Sequence, residues 1–264
     1  MTLIEAVVVI AILGVIAAGL AVFLINPVRG YSDTVLRTQL AESADFALRR
    51  IARELGGALP NSPRSTVSGK DFVLEFLNVR SAARYCNGVT VNCGGSLFDG
   101  DNSFAWYSPG GLSIDIGNFI VVGNDVNNGC DAYSATTINR RTVSALTGNS
   151  ISFSGAALDG NCIESSHRFF VVSGPVAYAC DAANSTLWRY SGYTIQATIP
   201  VSIAALDGLS GVIKARLATG VQCASSSFNV SNTNENLIEL RMQLKSTAGE
   251  TVNLYRQVRM EQAL

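Results

Sequence analysis

The sequence predicts an α+β protein, on three observations. Residues 6–25 form an apolar run of 20 residues without a charge. From Val28 to Leu59 apolar residues recur every three to five positions, as on one face of a surface helix. After Pro63 the period becomes two, in short β-rich runs separated by Gly, Asn and Ser clusters. Periodicity alone establishes the order, helix first and sheet second.

As a helix rising about 1.5 Å per residue, the apolar run would measure about 30 Å, the thickness of a bilayer's hydrocarbon core. A core helix of a globular domain rarely hides so long an uncharged stretch on every face. A cleaved secretory signal fits poorly, because the start is not basic and the helical pattern continues beyond the run. A retained N-terminal anchor is the expectation. Glu5, the ionisable residue beside the run, would cost about 2.5–3.5 kcal/mol at a membrane-spanning helix centre, so it needs a partner. The α-amino group at Met1, with an ordinary pKa of about 7.7–8.0, supplies a cation. The position also suits the first turn of a helix, where the macrodipole favours an acid. Gly14 and Gly19 weaken an isolated helix but allow close approach of helix backbones. Pro27 is expected to kink or restart the helix at the membrane surface.

The second helical stretch carries Tyr31, Val35, Leu40, Ala44, Ala47, Leu48, Ile51, Leu55 and Leu59 on the expected packing face. Asp45 with Arg49, and Arg50 with Glu54, are i, i+4 pairs, and the charged surface is mixed in sign. Gly56, Gly57, Pro60 and Pro63 should stop the helix. Strands are expected where Phe72, Leu74 and Phe76 alternate with Val73, Glu75 and Leu77, and over 114–122, 151–153 and 168–172. The clearest hairpin closes the chain. Ile238, Leu240, Met242 and Leu244 form one face, a turn over 246–249 follows, and Val252, Leu254, Val258 and Met260 return. Arg256 interrupts that second face, as a buried ion-pair partner or as the mark of a register shift.

At 264 residues the chain holds the anchor and one domain of about 200 residues. Nineteen basic residues stand against 20 acidic ones, so there is no overall basic field for nucleic acid. The six cysteines, Cys86, Cys93, Cys130, Cys162, Cys180 and Cys223, all follow the anchor and include no Cys-x-x-Cys pair, which points to disulfides in an oxidising compartment rather than zinc. Of the possible pairings the sequential set closes the shortest loops: Cys86 with Cys93, Cys130 with Cys162, Cys180 with Cys223. Asn87, Gly88 and Asn92 suit a tight bend within the first of these.

Catalytic signals are weak. His167 is the one histidine, so a multi-histidine metal site is excluded and any Ser-His-Asp triad would need that ring. Gly208-Leu209-Ser210-Gly211-Val212 approximates a nucleophile elbow but lacks its final Gly and reads as a turn. Two acidic loops offer hard oxygen ligands to calcium: Asp99 and Asp101 with Ser103, and Asp125, Asn127 and Asp131. Neither completes an EF-hand, since Phe104 stands where the first needs Gly, and Asx turns are the simpler reading. No other cofactor is expected. Trp106, Tyr107, Trp188 and Tyr193 are candidate exposed aromatics for a binding surface, although aromatics in strands more often belong to the core.

The opening Met1-Thr2-Leu3-Ile4-Glu5-Ala6-Val7-Val8-Val9-Ile10-Ala11-Ile12-Leu13-Gly14 resembles the mature start of class III signal peptide proteins, the type IV pilins and type II secretion pseudopilins. That family usually begins with Phe, where this chain has Met1. The resemblance implies leader removal by prepilin peptidase, methylation of the amine at Met1, and pairing of Glu5 with the N-terminus of a neighbouring subunit. It makes Met1, Thr2 and Glu5 assembly residues rather than catalytic ones. Pro60-Asn61-Ser62, Arg168-Phe169-Phe170-Val171-Val172-Ser173-Gly174-Pro175-Val176, Cys180-Asp181, Leu187-Trp188-Arg189-Tyr190 and Leu254-Tyr255-Arg256-Gln257-Val258 are similar to O-type minor pilins of mannose-sensitive haemagglutinin pili. More distantly, they are similar to W-type minor pilins and J-type pseudopilins. The architecture so implied is a long N-terminal helix packed on an antiparallel β head, with an assembly helix over 1–25, its amphipathic continuation over 26–59 and a disulfide-bearing head over 60–264. The implied role is a structural minor pilin, not an enzyme, that primes or caps a filament. Its partners would be other pilins, prepilin peptidase and the inner-membrane assembly platform. Before assembly it would cross the inner membrane once with a periplasmic head, and afterwards sit in a surface pilus, at its tip on the ground that a bulky head repeats poorly in a tight array. A J-type pseudopilin of type II secretion and a tip-displayed adhesin are the alternatives.

Overall fold

The computed structural model describes residues 2–86, 98, 100–136, 138–163, 166–231 and 237–260, with only the backbone described for 21–29. The chain runs α1 (Leu3–Gly56), β1 (Arg64–Ser68), β2 (Asp71–Tyr85), β3 (Ser103–Tyr107), β4 (Phe119–Val121), β5 (Arg140–Thr147), β6 (Ser150–Ser154), β7 (Arg168–Asp181) and β8 (Thr186–Ser191). It continues through α2 (Ile203–Asp207), β9 (Ile213–Thr219), β10 (Ser227–Val230), β11 (Leu237–Lys245) and β12 (Thr251–Arg259). This is the α+β architecture expected from the change of period.

Helix α1 has 54 residues and is therefore about 80 Å long. Pro27 neither ends nor restarts it, in departure from one of the two outcomes expected. A proline deletes one backbone donor, and the intact bonds around it carry the helical path across the gap. Gly57 closes the helix, its N–H donating to Glu54 O. The predicted packing face is buried from Ala44 onward: Ala44, Ala47, Leu48, Ile51 and Leu55 are covered, and Leu40 packs at their margin. Tyr31, placed on that face by its spacing, is exposed. The apolar spacing continues further toward the N-terminus than the head does.

Two long strands, β2 and β7, organise the head. They pair antiparallel along their length, and each contributes to two cores because of irregularities around Asn78, Val79 and Ser81 where the register shifts. Before the shift the even positions Phe72, Leu74 and Phe76 join Val176, Tyr178 and Cys180 in the core against α1. Beyond it the odd positions Ala83 and Tyr85 join Phe169 and Val171 in a second core. An extra residue in a strand moves the alternation by one, so the odd residues inherit the inward direction. Around that second core β2, β3, β6, β5, β4 and β7 form a closed antiparallel circuit, each strand bonded to the next and β7 back to β2. β1, β8 and β9 extend the sheet beyond it. The expected strand over 114–122 is reduced to Phe119–Val121, since Gly117 and Asn118 turn the chain before it.

The three-stranded sheet β10-β11-β12 faces the first half of β2 and the second half of β7, with α1 against it. The hairpin register is unbroken from Leu237↔Arg259 to Lys245↔Thr251. Arg256 therefore marks no shift. Its guanidinium reaches Asp45 of α1 at 3.6 Å, and Asp45 also holds Arg49 at 2.7 Å. With Arg37 on Glu250 and Glu54 on Arg189, ion pairs fasten the helix to the head along the flank of its apolar stripe.

Candidate assembly site

The N-terminal end of α1 presents the predicted assembly residues, with Met1 outside the described residues. Thr2 is the N-cap, in extended conformation, and Glu5 stands three positions into the helix. Glu5 Oε2 accepts from the Thr2 backbone N–H at 3.4 Å, while the Glu5 N–H donates to Thr2 O at 3.1 Å. The carboxylate thus satisfies a donor that the first helical turn leaves open. Leu3–Leu20 is long and apolar enough to cross a membrane, and none of it is buried against the rest of the chain. This is compatible with membrane anchoring. Ala11, Gly14 and Ala18, at i, i+3 and i+7, lie on one stripe, and nothing stands within 4 Å of a Cβ built on Gly14. The stripe is open to another helix.

The cysteines lie at structural joints. Cys130–Cys162 ties the loop after β4 to the loop before β7, with a Cα separation of 5.8 Å. Cys180–Cys223 ties the end of β7 to the turn that leads into β10, also at 5.8 Å, with both sulfurs in the core beneath α1. These are the sequential pairs. Cys86 is disulfide-bonded, while its expected partner Cys93 lies outside the described residues.

The acidic loops form turns. Asp125 Oδ1 accepts from the Asn127 N–H at 3.0 Å and Oδ2 from Asn128 Nδ2 at 2.8 Å, at the head of a 3-10 turn over Val126–Asn128. Asp131 Oδ1 accepts from the Tyr133 N–H at 2.8 Å. Asp101 is described, Asp99 is not, and among the described residues no three His, Cys, Asp or Glu side chains converge as a metal site would require. Tyr193, expected as a candidate exposed aromatic, is instead 3% exposed, because its hydroxyl is tied to the interior carboxylate of Glu75. Trp106 and Trp188 are half-buried at core margins, and Tyr107 alone of the four stands well out, 70% exposed. His167 sits at a left-handed backbone position, with its ring edge-on to Tyr85. Gly208 caps α2 and begins the turn into β9.

The most concentrated polar chemistry in the head was not apparent from sequence. Glu75 on β2 is fully buried and directly opposes Arg64 of β1. Arg64 Nε donates to Glu75 Oε2 at 2.6 Å, and its two terminal nitrogens donate to the carbonyls of Gln196 and Ala197 at 2.7 and 2.9 Å. The guanidinium lies 3.6 Å over the ring of Tyr133, and Tyr193 Oη donates to Glu75 Oε1 at 2.7 Å. Burial raises the Glu75 carboxyl above its ordinary range despite the opposing pull of Arg64, and burial with the Glu75 charge raises the Tyr193 phenol. Every contact points inward to another part of the chain, so the cluster acts as a clasp joining β1, β2 and the segment around 193–197. The signal for it was a lone acid at an alternating strand position, which pattern alone reads as solvent-facing.

No family model matches the chain, and neither a curated protein nor a solved structure is significantly similar to it.

Proposed function

We propose that the chain is a minor pilin, a structural subunit that primes or caps a type IV filament through α1. The observation that carries the reading is the division of α1. Among the described residues none of its apolar part Leu3–Leu20 is buried, while the part from Leu40 to Leu55 is built into the head's main core. A helix so divided is fixed at one end and leaves an apolar rod for partners, first lipid and then the rods of sister subunits. Glu5 sits at the free end, where its charge meets the N-terminal amine of a neighbour as subunits stagger. The head, cross-linked by disulfides, suits an oxidising exterior.

Intact mass of the chain isolated from sheared filaments tests the reading. A mass beginning at Met1 with one added methyl group supports it. Extra N-terminal residues in a strain with active prepilin peptidase would overturn it and make α1 a plain anchor. Glu5→Ala should lower incorporation into filaments without altering the near-ultraviolet circular dichroism of the head, and unchanged incorporation would count against the role given to Glu5.

A further inference from the structure

On the closed strand circuit Arg84 of β2 directly opposes Arg168 of β7 and, on its other side, Tyr107 of β3. Their direction follows from alternation. Ala83, Tyr85, Phe104 and Phe169 point into the second core, so Ala82, Arg84, Tyr107, Arg168 and Phe170 line the outer face. Like charges placed directly opposite destabilise a sheet unless something lies between them. Among the described residues, carboxylates neutralise cations in eight ion pairs elsewhere in the head and helix. None of these pairs involves Arg84 or Arg168, and among the described residues neither guanidinium makes a hydrogen bond. They line a groove of about 370 Å³ together with Ala82, Phe170, Ser108 and the exposed Tyr107.

We propose that this groove binds an acidic carbohydrate, a sugar carboxylate lying between Arg84 and Arg168 and the sugar ring against Tyr107. Two guanidinium groups match a carboxylate in charge and fork geometry. An aromatic face accepts the C–H side of a sugar ring, and a groove near the lower end of the 300–1,000 Å³ range of small-molecule sites suits about one or two rings. An extended acidic peptide fits less well. β2 is bonded on both sides at Arg84, and β4 covers the other side of β7 from Phe170 to Val172, so the strands under the groove offer a peptide backbone no continuous free edge. The inference concerns one subunit and is independent of how subunits assemble.

Calorimetric titration of the full chain in detergent micelles tests it, with trigalacturonic acid, its fully methyl-esterified form and inorganic phosphate as probes at equal ionic strength. Trigalacturonic acid should bind, and the ester about tenfold more weakly or not at all. Arg84→Gln and Arg168→Gln should each weaken trigalacturonic acid about tenfold, with a smaller loss for Tyr107→Ala. Arg241→Gln, on the outer face of the small sheet, should leave binding unchanged. All four side chains are at the surface, so near-ultraviolet circular dichroism should match the wild type. No binding of trigalacturonic acid, equal binding of its ester, or indifference to Arg168→Gln would each overturn the proposal. Phosphate binding as tight as the sugar's would also overturn it, leaving a bare anion site.

Discussion

Arg189 on β8 and Glu54 in the last turn of α1 are 135 residues apart in sequence, and Arg189 Nε donates to both oxygens of the Glu54 carboxylate, at 3.1 and 2.9 Å. Burial by itself would raise the Glu54 carboxyl, but Arg189, the neighbouring Tyr178 and Arg50 together hold it below its ordinary 4.5. A carboxyl depressed in the native state contributes stability that is complete above its unfolded pKa and is lost as pH falls through the native value. Glu54→Gln should therefore cost about 1–3 kcal/mol at pH 7. The gap between variant and wild type should close as pH falls below 4.5, the ordinary value. Urea unfolding of the full chain in detergent, followed by the fluorescence of Trp106 and Trp188, measures it. A gap that stays constant down to pH 3 would show that Glu54 contributes shape rather than charge.

Cys130–Cys162 and Cys180–Cys223 span 32 and 43 residues, and on the chain-entropy account each is worth about 4 kcal/mol, so overall stability will barely distinguish them. Local opening will. Cys180–Cys223 anchors the approach to β10, and its removal as Cys180→Ala with Cys223→Ala should speed hydrogen exchange throughout β10, β11 and β12. The Cys130→Ala and Cys162→Ala pair should leave those strands protected. Equal exchange in the small sheet of both variants would mean that α1 alone holds it.

Glu75 and Arg64 make the third expectation. Removing the carboxylate leaves a largely buried guanidinium without its counter-charge, and Glu75→Ala should cost about 3–5 kcal/mol. Replacing both residues with Met removes the charges together, so the double variant should recover most of that loss. Tyr193→Phe, which deletes one donor, should cost about 1 kcal/mol. Thermal unfolding of the three variants is the measurement, and a double variant no better than Glu75→Ala would mean that Arg64 is held by its carbonyl partners and by Tyr133 rather than by Glu75.

These interactions divide what a sequence displays from what it hides. The helix, its Gly57 cap, the closing hairpin and the inward row of Ile238, Leu240, Met242 and Leu244 are repeated patterns, each set by neighbours a few positions away, and they were legible. Arg256 was visible as an interruption, but its partner Asp45 lies on α1, and only folding brings them together. Tyr193 read as a surface aromatic because its environment is made by Glu75, 118 residues earlier. The double use of β2 and β7 was hidden for a related reason: the irregularities that exchange their inward faces leave each half looking like an ordinary strand. At the N-terminal end the apolar stretch was legible, since among the described residues none of Leu3–Leu20 is buried.

Gly220 joins the large sheet to the small one and allows a sharper test of backbone packing. It adopts φ +74°, and its carbonyl accepts from the Lys245 N–H at 2.8 Å. A Cβ there would stand 2.6 Å from Lys245 O, a backbone atom that the β11 ladder holds in place. Gly249, in the β11–β12 turn, also has positive φ, at +94°, but a Cβ there would meet nothing within 4 Å. Gly249→Ala thus isolates the conformational cost, about 1–2 kcal/mol for a side chain in the left-handed region. Gly220→Ala adds the collision to that cost and should lose about 2 kcal/mol more, since moving Lys245 O would pull on the hairpin that packs against α1. The two variants are compared by urea unfolding under one set of conditions. Equal losses would mean that the junction yields at little cost and that the two sheets are coupled through Cys180–Cys223 and side-chain packing rather than through this backbone contact.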